Sequence, residues 1–288
     1  MLMLAVAAAT IPAVAYGDDY IPPVVGGRTY TQHQITTAKA RYSQILSIVV
    51  EGKRDSDKAP VVLGSTAGSA AVFRPAPTPA WDVGGKMGVG GTTYVVRTPF
   101  VSSTGHRIGT IAITFAYRKG QGTARFDDIA RAVATTMARN TLSAKNAADP
   151  YPYDKAWGPT TYAQSLTEAM IAAHPDLVVI MIHATPPGGK TNIIIGSNIG
   201  RFGKAADEDD LRVIDQGSTN LEIGGDNDRF ETELPLLDAK GKRIGALGLV
   251  FRYKLSDDKE AIHAHGLAIR DELAARIANN AALFAPRR

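Results

Sequence analysis

Two long apolar runs recur at a fixed separation along the chain. Gln44-Ile45-Leu46-Ser47-Ile48-Val49-Val50 and Asp176-Leu177-Val178-Val179-Ile180-Met181-Ile182 each read as a strand buried on both faces, over 45–51 and 177–183. A helix is expected before each, over 31–44 and 162–173. In the second, Ser165-Leu166-Thr167-Glu168 ahead of Ala169-Met170-Ile171 fits a capping box. After each run, a turn rich in Pro, Gly and Asp leads to a second strand, 60–65 and 191–197. A variable, Gly-rich middle follows. Two strands then flank a tight turn, 93–101 to 107–118 and 229–237 to 243–254. Ser103-Thr104-Gly105 and Ala239-Lys240-Gly241 put Gly where a turn needs positive φ. Gly109 and Gly245, just inside the last strands, mark a bulge or a close backbone approach. Closing helices are expected around 126–142 and 258–281. The order α-β-β-(variable)-β-β-α predicts an α+β fold, an antiparallel sheet with segregated helices, made twice.

The duplication is visible residue by residue. Thr29-Tyr30-Thr31-Gln32 recurs as Thr161-Tyr162-Ala163-Gln164, and Val62-Leu63-Gly64-Ser65 as Ile194-Ile195-Gly196-Ser197. The offset then grows by four. Gly105-His106-Arg107-Ile108-Gly109 meets Gly241-Lys242-Arg243-Ile244-Gly245, and Phe115 and Tyr117 meet Phe251 and Tyr253. A unit of about 130 residues is too long for a solenoid repeat and suits a small domain. Asp149-Pro150-Tyr151-Pro152-Tyr153-Asp154 is the natural linker. The predicted domains are 16–148 and 155–288.

Residues 1–15, MLMLAVAAATIPAVA, are uncharged and almost wholly apolar, and end in Ala13-Val14-Ala15, a small-x-small pattern that a signal peptidase accepts. The run is shorter than a membrane span and polar residues follow at once. A secretory leader and a periplasmic or secreted mature protein are the expectation, with no membrane span. Of the 288 residues, 44% are hydrophobic and 21% charged, as in a chain that buries a core, so disorder is excluded. Zero cysteine excludes thiol catalysis, cysteine-ligated zinc and iron–sulfur sites. The net charge of +4 is spread along the chain and does not point to nucleic acid.

Several motifs have plainer readings. Ala184-Thr185-Pro186-Pro187-Gly188-Gly189-Lys190-Thr191 ends like a phosphate-binding loop. It lacks the first Gly, and the β-branched Asn192-Ile193-Ile194-Ile195 follows instead of a helix, so a hairpin turn is expected. The Gly-rich stretch 83–91 is a loop or lid. His263 and His265 sit two apart on a helix, point to different faces and are expected at the surface. His183 ends a buried strand and could reach a pocket, although a satisfied core histidine is the plainer reading. Asp207-Glu208-Asp209-Asp210 reads as the solvated first turn of a short helix, and Asp226-Asn227-Asp228 as a turn rather than a calcium loop. Gly64-Ser65-Thr66-Ala67-Gly68 has its serine one place early for a nucleophile elbow. No catalytic residue, metal site or cofactor is assigned, and the chain reads as a non-enzyme.

Leu234-Pro235-Leu236-Leu237-Asp238-Ala239-Lys240-Gly241-Lys242-Arg243-Ile244-Gly245-Ala246-Leu247 resembles the late hairpin of Cache (PAS-like, PDC) extracellular sensor domains. Ile195-Gly196-Ser197-Asn198-Ile199-Gly200-Arg201-Phe202-Gly203-Lys204 is similar to that family's early strand-to-loop segment. The first unit keeps the hairpin but has Ser102 in place of Asp238 and lacks the 201–204 stretch. The resemblance implies two tandem PAS-like domains. Each would have a pocket on one face of its sheet, closed by the variable middle, for an organic acid, amino acid or amine. Candidate ligand-binding residues are Arg201, Arg229 and Arg252, whose guanidinium forks match a carboxylate, with Asp215 for an amine and His183. The expected partners are a small-molecule ligand and an envelope receptor or transporter. An exported haem or metal carrier, an enzyme using the same pocket and an envelope interaction module are the alternatives.

Overall fold

A computed structural model describes residues 28–54, 56–66, 84–88, 90–225 and 227–287. The leader read over 1–15 lies outside the described residues, as do parts of the Gly-rich stretch 83–91 and Asp226 of the candidate turn.

The first half runs α1 (Tyr30–Arg41), β1 (Ile45–Gly52), β2 (Val61–Ser65), β3 (Gly84–Met87), β4 (Thr93–Val101), β5 (Arg107–Ala116), α2 (Ala124–Arg139) and α3 (Ala144–Ala147). The second runs α4 (Tyr162–Ala173), β6 (Leu177–Ala184), β7 (Ile193–Ser197), α5 (Glu208–Gln216), β8 (Asn220–Gly224), β9 (Arg229–Leu237), β10 (Arg243–Arg252), α6 (Lys259–Ala274) and α7 (Asn280–Leu283). Each half carries a five-stranded antiparallel sheet, and the strand orders β2-β1-β5-β4-β3 and β7-β6-β10-β9-β8 are equivalent. The α+β architecture is as the hydrophobic pattern predicts. The variable middles contribute β3 and β8, edge strands that the pattern left unassigned, and in the second half α5.

The repeated Thr-Tyr-x-Gln has a structural purpose. Thr29 caps α1 by accepting the Gln32 N–H, while its hydroxyl donates to the Leu63 carbonyl at 2.8 Å. Thr161 does the same for α4, donating to the Ile195 carbonyl at 3.0 Å. The Gln32 and Gln164 side-chain oxygens accept the N–H groups of Ser65 and Ser197, both at 2.9 Å. Each motif therefore pins the opening helix to the second strand of its own half. This corrects the capping box expected at Ser165. Thr161 is the N-cap, so Ser165 lies inside the helix, and Glu168 accepts from the Gln164 amide at 3.2 Å.

Gly109 and Gly245 are close backbone approaches. A Cβ on either would lie 1.9 Å from a carbonyl oxygen, that of Glu51 or His183. Only hydrogen on the α-carbon lets the neighbouring strands meet. The closing helix of the second half stops at Ala274, short of the expected 281. The chain leaves helical geometry so that the Ile277 carbonyl can accept the Ala239 N–H of the late hairpin at 2.8 Å.

Each half buries its own core. Phe115 and Phe126 stack at 4.8 Å between sheet and α2, with Ile48, Ile111, Ile113 and Val133 around them. Leu234, Leu247, Leu249, Phe251, Ile269 and Leu273 fill the matching space under α6. The halves also join. Asn146 donates to Asp149 at 3.1 Å and to the Ile199 carbonyl at 3.0 Å. The Tyr30 hydroxyl donates to the Asn198 carbonyl at 3.2 Å, and its ring packs on Gly200, where a Cβ would lie 2.2 Å from it. Arg252 reaches the Ser103 carbonyl at 2.9 Å, and His106 lies 3.1 Å from the Asp228 carboxylate.

Candidate functional site

Strand alternation gives the second sheet two unlike faces. On β9, Phe230, Thr232, Leu234 and Leu236 are buried on the α6 side, and Arg229, Glu231 and Glu233 lie on the other. In register with that other side stand Ala246, Gly248 and Val250 on β10 and His183, Met181 and Val179 on β6. Part of this face is apolar: Val179, Met181 and Val250 cluster with Ile194 and Ile199, and Leu142 of the first half packs on them. The remainder is polar, and α5 lies across it.

The sequence between 203 and 219 explains how α5 is held there. Asp207 and Asp210 form a reciprocal capping box, Asp210 N–H to Asp207 at 3.3 Å and Asp207 N–H to Asp210 Oδ2 at 3.0 Å. Gly217, with φ of 72°, ends the helix in the left-handed conformation that favours glycine. Val213 is fully buried, facing inward. Small residues on β10 help, since Gly248 leaves space where a Cβ would come within 3.3 Å of Met181.

His183 is at the centre of the polar region. It is 2% exposed, and neither ring nitrogen has a hydrogen-bond partner. Its Nδ1 lies 3.4 Å from Asp210 Oδ2, close but not aligned for a hydrogen bond. Two expectations are corrected here. His183 is a core histidine but not a satisfied one. The acidic first turn of α5 is not wholly solvated, because Asp210 is 4% exposed. Burial, assisted by the Lys204 ammonium, pushes the imidazole down to about 3, so it is neutral near pH 7. Burial and the neighbouring Asp207 raise the Asp210 carboxyl well above the usual carboxylate range. Asp207 itself is held low: burial would raise it, but Lys204 and the hydrogen bonds shared with Asp210 together outweigh that effect.

Two further carboxyls share this face. Burial and Glu231 push Glu233 up to about 7, although Asn220 donates to it at 3.2 Å. Burial raises Glu231 as well, tempered by Arg201. Neither glutamate is a candidate from sequence, and Asp210 is read there only as part of a solvated helix turn. The available signal was the alternation Arg229-x-Glu231-x-Glu233 on a strand whose other face is apolar, which becomes informative only when that polar face is known to be covered.

The five residues expected to bind ligand are not gathered into one cluster. Arg201 lies at this site but faces the linker, with its Nε 3.2 Å from Asp149 and its side chain 19% exposed. Burial alone would lower its pKa. Asp149 and Tyr153 outweigh that and hold the guanidinium charged. Arg229 shares a face with Glu231, 3.8 Å from Asp228. Arg252 is used in the contact with Ser103. Asp215 is exposed on α5, and its carbonyl accepts from Arg243 at 2.9 Å.

A separate hollow lies on the opposite face. It is a groove of about 440 Å³ between β8 and the start of α6, lined by Leu221, Ile223, Phe230 and His263 with Glu222, Lys259 and Glu260. It is wide open to solvent and mostly apolar. The face under α5 has the stronger claim to be a binding site, because specificity needs buried polar groups and the groove offers few. His263 lines the groove, and His265 lies 3.3 Å from Asp176. Among the described residues, no three His, Asp or Glu side chains lie close enough together to hold a metal ion, and no helix is long and apolar enough to cross a membrane. The segment 185–192 is a turn between β6 and β7, not a phosphate loop.

No protein-family model matches the chain, and no curated protein does. Among solved structures the chain is similar to one from Burkholderia vietnamiensis described as a GAF sensor protein. Identity is 16%, the match covers 42% of this chain and 76% of that one, and the TM-score is 0.30.

Proposed function

We propose that the protein is an exported, sensor-like small-molecule-binding protein of two Cache-like units, with its ligand seat between α5 and the sheet of the second half. The observation that carries this reading is His183, buried to 2% with both ring nitrogens unpartnered. A buried polar group without a partner costs about 1–3 kcal/mol. Here the imidazole is accompanied by Asp210, Glu231 and Glu233, carboxyls that burial has made reluctant to ionise. Groups of this kind, spread over one sheet face beneath a short helix, suit a site completed by a small molecule. Gly203 and Gly217, with φ of 81° and 72°, flank α5 and give the covering segment two turning points. Binding, not catalysis, is the role, and the partner that reads occupancy is an envelope receptor or transporter.

Thermal unfolding against a library of organic acids, amino acids and amines tests the seat, since a ligand that binds only the folded state raises the melting temperature. A hit whose effect is abolished by His183→Leu supports it. A hit indifferent to His183, Glu231 and Glu233 places the site elsewhere. Export is tested separately by N-terminal sequencing of the periplasmic or secreted protein, with Tyr16 as the expected first residue.

A further inference from the structure

Because the two halves share one register, they can be compared position by position. Glu51 on β1 lies opposite Thr110, as His183 on β6 lies opposite Ala246. Arg97 on β4 lies opposite Ala112, as Glu233 on β9 lies opposite Gly248. Val95 is opposite Thr114, as Glu231 is opposite Val250. In the first half, the Arg97 guanidinium lowers the pKa that burial raises at Glu51. A buried carboxyl there has a cation supplied by the chain itself.

The second half reverses that charge. Glu233 occupies the place of Arg97, and Glu231 the place of Val95. The charges acting on Asp210 and Glu233 are themselves carboxylates, those of Asp207, Glu231 and Asp209. The nearby cations are paired with other anions, Arg201 with Asp149, Lys204 with Asp207 at 3.5 Å and Arg229 with Asp228 at 3.8 Å, while Arg201 and Arg229 offset only part of the effect of burial at Glu231. Like charges gathered in a poorly solvated place must hold protons or be neutralised from outside. His183, neutral and without a hydrogen-bond partner, lies 3.4 Å from Asp210 and offers an acceptor on the same face of the sheet.

We propose that the seat under α5 binds a small organic cation, a primary amine, between Asp210, Glu231 and Glu233, with His183 accepting one of its N–H bonds. The proposal rests on the reading of this face as the ligand seat. An ammonium on a carbon chain suits the geometry better than a bare metal ion, because the acidic side chains do not converge on a single point. The first half needs no such ligand, since Arg97 already occupies the equivalent place.

The test compares matched sets on the full chain by thermal unfolding and calorimetry: n-butylamine and 1,4-diaminobutane against butyrate, 1-butanol and calcium chloride, then a wider library of amines with isosteric acids and alcohols. Amines alone are expected to raise the melting temperature, by about 5 °C near one hundred times Kd. Glu233→Gln should remove most of the response, and Glu233→Arg, which copies the first half, should abolish it. Far-UV circular dichroism confirms that the variants are folded. Calorimetry of the unaltered protein with amine and acid decides the charge preference without any variant. Acids or alcohols that bind in dependence on His183 would overturn the cation while leaving the seat in place. Stabilisation by calcium alone, or an amine response unchanged in Glu233→Gln, also overturns it. Silence of every amine sinks the cation proposal, and silence of the whole library sinks the binding function too.

Discussion

Replacing Gly245 by alanine perturbs both the fold and the candidate site. A Cβ at this position would lie 1.9 Å from the His183 carbonyl oxygen and 3.0 Å from its carbonyl carbon. Both are backbone atoms, so no side-chain rotation relieves the clash. Reaching a tolerable contact of about 3 Å requires β10 and β6 to part by about 1 Å at Gly245↔Ala184, where they pair. A ladder hydrogen bond near 2.9 Å would then stretch beyond a useful length. Losing one or two such bonds costs about 1 kcal/mol each, and overpacking adds about 1–3 kcal/mol. The expected loss is about 2–5 kcal/mol. Urea unfolding followed by circular dichroism measures it, with Gly158→Ala, which meets nothing within 4 Å, as the control. Gly109→Ala should cost a similar amount, because its Cβ meets the Glu51 carbonyl at the same 1.9 Å. If Gly245→Ala lies within 0.5 kcal/mol of the control, the close approach is not a constraint and the reasoning fails.

Other perturbations have equally definite outcomes. The raised folded-state pKa of Asp210 means that its stabilising contribution is complete below the ordinary carboxylate range and is lost as pH rises through the elevated value. Asp210→Asn should therefore gain on the wild type between about pH 5 and pH 8.5, read as a growing difference in melting temperature; a constant difference would contradict the buried, raised carboxyl. Asp149→Asn leaves Arg201 without its anion at the junction of the halves and should cost about 1–3 kcal/mol in chemical unfolding. Phe126→Ala, at a site 2% exposed and stacked on Phe115, should cost about 3–5 kcal/mol in the same assay, and less than 1 kcal/mol would contradict the core assignment.

How far the sequence reached depended on the range of the interaction involved. The continuous run at 177–182 announced β6, because burial on both faces leaves an unbroken apolar stretch. The late hairpins were legible from Gly105 and Gly241, whose φ values of 97° and 75° few other residues adopt. The edge strands β3 and β8 were not legible. Gly84-Gly85-Lys86-Met87 is exposed throughout, and Asn220-Leu221-Glu222-Ile223-Gly224 is only partly covered, so neither carries a burial period. They are strands because β4 and β9 offer them an edge.

The candidate site divides in the same way. His183 was marked because it ends a buried strand, and Asp207 to Asp210 because acidic residues suit the first turn of a helix. Their meeting at 3.4 Å was hidden, since it depends on where α5 lands on the sheet. Arg201, Arg229 and Arg252 suggested a carboxylate clamp from residue type alone. In the fold, Arg201 turns to the linker and Arg252 to the first half, each drawn to a buried or partly buried oxygen that the sequence order places far away.

Duplication, the order of the core strands with their opening and closing helices, and the two glycines at close backbone approaches were settled by the sequence alone, because each rests on local backbone geometry or on a period of burial that neighbouring residues share. The cover over the second sheet, the burial of His183 without a hydrogen-bond partner and its meeting with Asp210 were decided only by tertiary structure. Those features arise when segments distant in the chain exclude water from one another, and no short window of sequence records which segments will do so.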